Sequence, residues 1–275
     1  MEPKVSDSFV TMKPTGTTLS LGTAKPTTKS NQNTYPALNN YLRSLRTVRS
    51  GKFEMGSSSG PADERPIHEV TLTTFRMGST PVPVAVWKEY CNANGLQLPV
   101  APRWGWIEDH PIVTVSWDDI MGSAGNLGFC SWVSNVAGLL VKLPTEAEFE
   151  FALRGGHDTQ TFPWGQSFDP SKVWCSSKQT KRSTAPVTRG SNFFTNRFGL
   201  TDLAGNVSEW CFDAYMPYNR APLNNPAAHF GYSVDRCFRG GSWKESASNA
   251  FRCSRRMFSY QGNKSDEIGF RLVTQ

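Results

Sequence analysis

Four residue types in this 275-residue chain have the chemistry for catalysis or metal binding, and their spacing decides what they offer. The six cysteines, Cys91, Cys130, Cys175, Cys211, Cys237 and Cys253, include no CxxC pair. They therefore lack the spacing of a structural zinc site. A chain this long does not depend on a disulfide framework. Buried free thiols are the expected state, with one or two bridges as the alternative. The four histidines, His68, His110, His157 and His229, include no HxxxH pair, and His68 reads as a satisfied strand or loop residue. Glu146, Glu148 and Glu150 are either a functional carboxylate cluster or the acidic start of a helix. The second is expected, because carboxylates there complement the helix dipole. Arg271 can fork onto carbonyls or a carboxylate. A phosphate loop and HExxH are absent from the sequence, so neither of those chemistries is on offer.

The elements that must hold these residues are short. Lys52-Phe53-Glu54-Met55-Gly56 reads as a strand ending at a glycine turn, and the β-branched run from Glu69 to Met77 as a second strand. Apolar spacing at Val86, Trp87, Tyr90 and Cys91 predicts a helix over residues 84–94. Trp117-Asp118-Asp119, capped by Ser116 or Asp118, opens another helix, which residues 127–136 continue. Residues 143–153 form a further helix, with Thr145 and Glu148 as a capping box and Gly155-Gly156 as its stop. Beyond residue 156 turns dominate, and no 20–50-residue repeat is present. The pattern is α+β and loop-rich, in keeping with 23 Gly and 18 Pro. Nine Trp and 17 Phe supply large apolar area for a core.

Residues 1–34 are rich in Thr, Ser, Lys and Pro with a single Phe, too polar to offset their own ordering entropy. Residues 1–50 are read as a flexible arm for attachment or oligomerisation, with a short helix near residues 36–49, and residues 51–275 as one domain. The net charge of +6 is scattered, with no Lys/Arg run longer than two, which argues against nucleic acid as the ligand. The N-terminus lacks a signal-peptide core, and no stretch of 18 apolar residues spans a membrane.

An ordered series of segments then appears: Phe53-Glu54-Met55-Gly56, Glu64-Arg65-Pro66-Ile67-His68, Pro111-Ile112-Val113-Thr114-Val115-Ser116-Trp117, Leu143-Pro144-Thr145-Glu146-Ala147-Glu148, Arg154-Gly155-Gly156, Phe162-Pro163-Trp164-Gly165, Asn196-Arg197-Phe198-Gly199-Leu200, Asp202-Leu203-Ala204-Gly205-Asn206-Val207-Ser208-Glu209-Trp210, Phe238-Arg239-Gly240-Gly241-Ser242-Trp243 and Gly269-Phe270-Arg271. Over residues 51–275 this series resembles the formylglycine-generating-enzyme (sulfatase-modifying-factor) family. The resemblance implies a variant C-type lectin fold with few helices and short strands.

The family's oxidases hold copper on two cysteines shortly after the Gly-Gly-Ser-aromatic segment, where soft thiolates suit Cu(I). Here that stretch, Lys244-Glu245-Ser246-Ala247-Ser248-Asn249-Ala250-Phe251, has no cysteine. Cys237 and Cys253 flank it and are the alternative copper pair, against the reading of core thiols or a disulfide. Relatives also bind calcium near Gly205-Asn206-Val207-Ser208-Glu209. The resemblance thus implies Asn206 and Glu209 as calcium ligands, against the reading that both pin the turn. No other cofactor is required.

The non-catalytic members of this fold include the variable proteins of diversity-generating retroelements, which carry variable positions between Gly-Gly-Ser-Trp and Gly-Phe-Arg. In this sequence the candidate surface is Lys244, Glu245, Ser246, Asn249, Arg255, Met257, Phe258, Ser259, Tyr260, Asn263, Ser265, Asp266 and Glu267, with no helix or strand period. Met257 to Tyr260 are read as a loop whose large side chains anchor a ligand. The alternative is an ordinary loop with Phe258 and Tyr260 buried. The expectation is a non-catalytic binding protein for a protein or surface ligand, virion-associated or surface-displayed, with cytoplasmic residence as the alternative. A copper oxidase with relocated ligands is the competing function.

Overall fold

The computed structural model describes residues 34–275 apart from 124, 158–159, 179–181, 189–193 and 228–233. The first helix, α1 (Pro36–Arg43), starts on the fixed φ of proline and turns Leu38 and Tyr41 inward. The Glu89 carboxylate accepts the amides of Ala37 and Leu38 at 2.8 and 2.9 Å. Strand β1 (Arg46–Val48) follows, with Val48 fully buried. The domain therefore begins well before residue 51, and the boundary drawn from sequence is corrected. The three apolar side chains Leu38, Tyr41 and Val48 tie residues 36–48 into the core, whatever the polarity of the residues ahead of them.

The run from Glu69 to Met77 splits. Strand β2 (Gly51–Met55) pairs antiparallel with β3 (His68–Leu72), whereas β4 (Phe75–Met77) pairs with β1 in another sheet. Thr73 and Thr74 make the switch: Asn225 takes the Thr73 amide, and Thr74 takes the Ser50 amide. Helix α2 (Val84–Asn94) has the bounds its spacing predicts and ends on Gly95 at φ 65°. The next predicted helix is two. α3 (Trp117–Met121) carries a Ser116/Asp119 capping box, and α4 (Gly128–Ala137) starts after a turn at Gly122 (φ 97°). After β5 (Val141–Lys142), α5 (Glu146–Leu153) starts on the predicted Thr145/Glu148 capping box.

The remaining strands are β6 (Ser208–Ala214), β7 (Leu223–Asn224), β8 (Asp235–Arg239), β9 (Met257–Tyr260), β10 (Ile268–Gly269) and β11 (Val273–Thr274). Among the described residues the strands form three sheets, ordered β1-β4-β11-β5, β10-β6-β8-β9 and β2-β3-β7. One apolar cluster gathers Phe53, Phe149 and Phe251; a second gathers Trp87, Phe129, Trp210 and Phe270. Strand β11 lies inside its sheet between β4 and β5. Among the described residues, no helix is long and apolar enough to cross a membrane.

Candidate binding surface

The C-terminal segment hangs from a rigid double turn. Gly240 and Gly241 have φ of 96° and 72°. A Cβ on Gly240 would sit 2.6 Å from the Leu203 carbonyl, so this close approach requires glycine. The Gly205 amide donates to the Gly240 carbonyl, and the Trp243 amide to the Asn206 carbonyl. Two segments that the sequence shows separately are therefore one buttress.

Asn206 and Glu209 build that buttress. The Asn206 Oδ1 accepts the Ala185 amide, and its Nδ2 donates to the Ala185 carbonyl and to Asp202. Glu209 is fully buried, and both its oxygens accept the Arg271 guanidinium at 2.7 Å. Both side chains thus pin the turn, the alternative to calcium ligation that the sequence offers, with their oxygens serving protein donors. Among the described residues, no group of three or more His, Cys, Asp or Glu is placed to hold a metal ion.

None of the thirteen candidate surface residues is buried. Lys244, Ser246, Asn249, Phe258 and Tyr260 are exposed; Glu245, Arg255, Met257, Ser259, Asn263, Ser265, Asp266 and Glu267 are half-buried. The structure brings some of them together. Lys244 pairs with Glu267 at 2.8 Å, and Ser242 donates to the same carboxylate. The Trp243 indole holds the Asp266 carbonyl, and the Thr114 amide the Ser265 carbonyl. Met257 to Tyr260 form a second patch. They are not a loop but strand β9, paired only to β8 among the described residues, with alternating exposure. β9 and β10 are the two edges of one four-stranded sheet, three strand spacings or roughly 14 Å apart. Residues 261–267 connect them, with the Gln261 carbonyl taking the Asp118 amide and Lys264 pairing with Asp119 at 2.8 Å. Phe258 is 51% exposed and stacks on Tyr215 at 4.3 Å between centroids; Tyr260 is 56% exposed.

Sequence reasoning missed the flank of the first patch. Trp104 meets Trp243 edge-on at 5.3 Å, and Arg103 lies over the Trp243 ring. Val100 is 86% exposed, and its carbonyl takes the Thr114 hydroxyl. The signal was present as two tryptophans, Trp104 and Trp106, in a polar, proline-flanked stretch.

The profile of the sulfatase-modifying factor enzyme 1-like domain matches residues 32–275. The chain belongs to this family. The serine/threonine-protein kinase pkn1 of Chlamydia caviae is 31% identical over 252 residues, which are 82% of this chain and 37% of that protein. This chain thus spans under two fifths of that relative. The formylglycine-generating enzyme of Streptomyces coelicolor is 29% identical over 288 residues, covering 81% of this chain and 86% of the enzyme. PvdO from Pseudomonas aeruginosa superposes with a TM-score of 0.72 at 26% identity, over 84% of this chain and 94% of that one. The Treponema denticola variable protein 1 superposes with a TM-score of 0.67 at 21% identity, over the same shares, and so shares the fold. The architecture is the C-type lectin fold of the formylglycine-generating-enzyme type.

In this sulfatase-modifying-factor-like domain the remaining cysteines sit in the core. Cys237 and Cys253 are fully buried. Burial lifts the Cys237 thiol well above its usual value and pushes Cys253 to about 12. The three glutamates of α5 take the structural role expected. Glu148 caps the helix and pairs with Lys142. Glu150 holds Arg154 and Arg239, and Glu146 holds Arg239 and Arg256.

Proposed function

We propose that this chain is a non-catalytic, receptor-type binding protein that presents residues 244–267 on a C-type lectin scaffold, as the variable proteins of diversity-generating retroelements do. One observation carries the reading. Scaffold and surface positions interleave along the segment: Trp243, Ala250, Phe251, Cys253, Ser254, Arg256 and Ile268 are buried, while the thirteen candidate positions between them reach solvent. Side chains at such positions can change without disturbing the core. The exposed rings of Phe258 and Tyr260 supply rigid contact area of the kind that anchors protein interfaces. The partner is a protein or surface ligand, and a virion or cell surface is the proposed location.

The test lies in the DNA around the coding region. An imperfect copy of the stretch encoding residues 244–267, differing only at adenines and next to a reverse transcriptase gene, is expected. Complete flanks without such a copy would end the retroelement reading.

A second reading has its own support in the match to the Streptomyces coelicolor formylglycine-generating enzyme over 86% of that protein. It is a copper oxidase with relocated ligands at Cys237 and Cys253. Raised, buried thiols make poor thiolate ligands. Formylglycine production on a cysteine peptide by the copper-loaded protein would favour this reading over the first.

A further inference from the structure

A cavity of about 440 Å³ opens beneath β2, β3 and β7, between the start of α5 and the stretch that follows β6. None of the thirteen surface residues lines it. Its volume falls within the range of roughly 300–1,000 Å³ typical of small-molecule sites. Most of the wall is apolar, with Met55, Met216, Leu223 and Ala227 among its residues, and His68 and Tyr218 bring rings to it. Two charged residues of its lining, Glu146 and Arg256, answer one another. The Glu146 carboxylate takes Arg239 at one oxygen and Arg256 at both, and Arg256 also lies 3.8 Å from the Tyr218 ring centroid. A charged ligand would have to compete with this internal pairing, so the cavity suits a neutral one.

His68 brings a polar group to this wall. His68 is only 4% exposed and meets Tyr218 edge-on at 4.6 Å. Its Nδ1 is 3.1 Å from the Pro66 carbonyl. A carbonyl only accepts, so in the neutral ring Nδ1 carries the hydrogen and Nε2 is a bare acceptor. Nε2 has no hydrogen-bond partner among the described residues. Water serves such an acceptor in an open cavity, and a ligand's hydroxyl would take its place. Two methionines beside the ring wall favour an aromatic guest, because thioether sulfur makes good contacts with rings.

We propose that this cavity binds a small neutral aromatic molecule of the phenol class, with its ring between Met55, Met216 and Tyr218 and its hydroxyl donating to His68 Nε2. This site is independent of the C-terminal surface. The test is an NMR titration of the full chain, with 4-methylphenol as probe and the methionine methyl groups as reporters. Saturable shifts of the Met55 and Met216 methyls are expected. 4-Methylanisole has the same ring without the donor and should bind roughly tenfold more weakly. His68→Phe keeps a ring against Tyr218 and should remove that discrimination. If this variant does not fold, the phenol-to-anisole ratio on the unmodified protein still decides. Equal binding of the two probes, or no saturable shift at either methyl up to the solubility limit, would overturn the proposal. N-acetyltyrosinamide is the third probe. Weaker binding than 4-methylphenol supports a free ligand, and tighter binding would make a partner's tyrosine the occupant and overturn the free-ligand assignment.

Discussion

Glu209 and Arg271 are each fully buried and share two hydrogen bonds of 2.7 Å, while Lys244 and Glu267 make an ion pair at the surface. The two pairs should respond very differently to truncation. Arg271→Ala leaves a carboxylate uncompensated in the core and is expected to cost about 3–5 kcal/mol. Lys244→Ala should change stability by less than about 1 kcal/mol. Denaturant unfolding of both variants measures the contrast. Glu146 adds a pH dependence. Burial raises its pKa, but the guanidiniums of Arg239 and Arg256 outweigh that and hold it near 2, down from the usual 4.5. A carboxylate with a lowered folded pKa contributes stability that is present above its unfolded pKa and is lost as pH falls through the folded one. The window therefore runs from about 4.5 down to about 2. Glu146→Gln should be less stable at neutral pH and should show a shallower loss across that window, read from unfolding free energies at a series of pH values.

At the scale of elements, β9 combines a secure backbone with free side chains. Its pairing to β8 sets the register Cys237 to Phe258 and Asp235 to Tyr260, so the exposed rings project from a defined strand rather than a wandering loop. Replacing Met257 to Tyr260 with alanine should leave the fold intact. The main loss is the stacking of Phe258 on Tyr215, worth about 0.5–1.5 kcal/mol. Saturable binding to the target surface should disappear in the same variant. A protein that unfolds, or one that binds unchanged, would separate β9 from the binding role. The sequence did not show β9 because its four residues include two aromatics, a methionine and a serine with no apolar–polar alternation. The exposed face carries the two rings and the more buried face a serine, so no apolar–polar period marks the strand.

For the molecule as a whole, the domain depends on what precedes residue 51. β1 is the edge partner of β4, and Tyr41 receives the Leu272 amide through its hydroxyl while also donating to the Thr80 carbonyl. A chain beginning at Gly51 removes these contacts together with the buried Leu38 and Val48. It is expected to show a lower unfolding temperature and broadened amide spectra relative to the full chain. A fully cooperative, equally stable Gly51 variant would show that α1 and β1 are dispensable.

Family, fold class, the bounds of α2 and the capping box of α5 were legible in the sequence, because each rests on local spacing or on an ordered run of segments. Where the same local signal served two sheets, as between β3 and β4, sequence read one strand where there are two. The roles of several buried polar and ionisable groups were decided by tertiary structure alone. Asn206 and Glu209 look like oxygen ligands in a loop until Arg271, 62 residues away, occupies the carboxylate. His68 reads as a satisfied histidine, and its Nδ1 does meet the Pro66 carbonyl, but only the folded chain makes its ring part of a cavity wall. The physical reason is common to both: whether a buried polar atom is spent or available depends on partners that only the folded chain brings within hydrogen-bond distance.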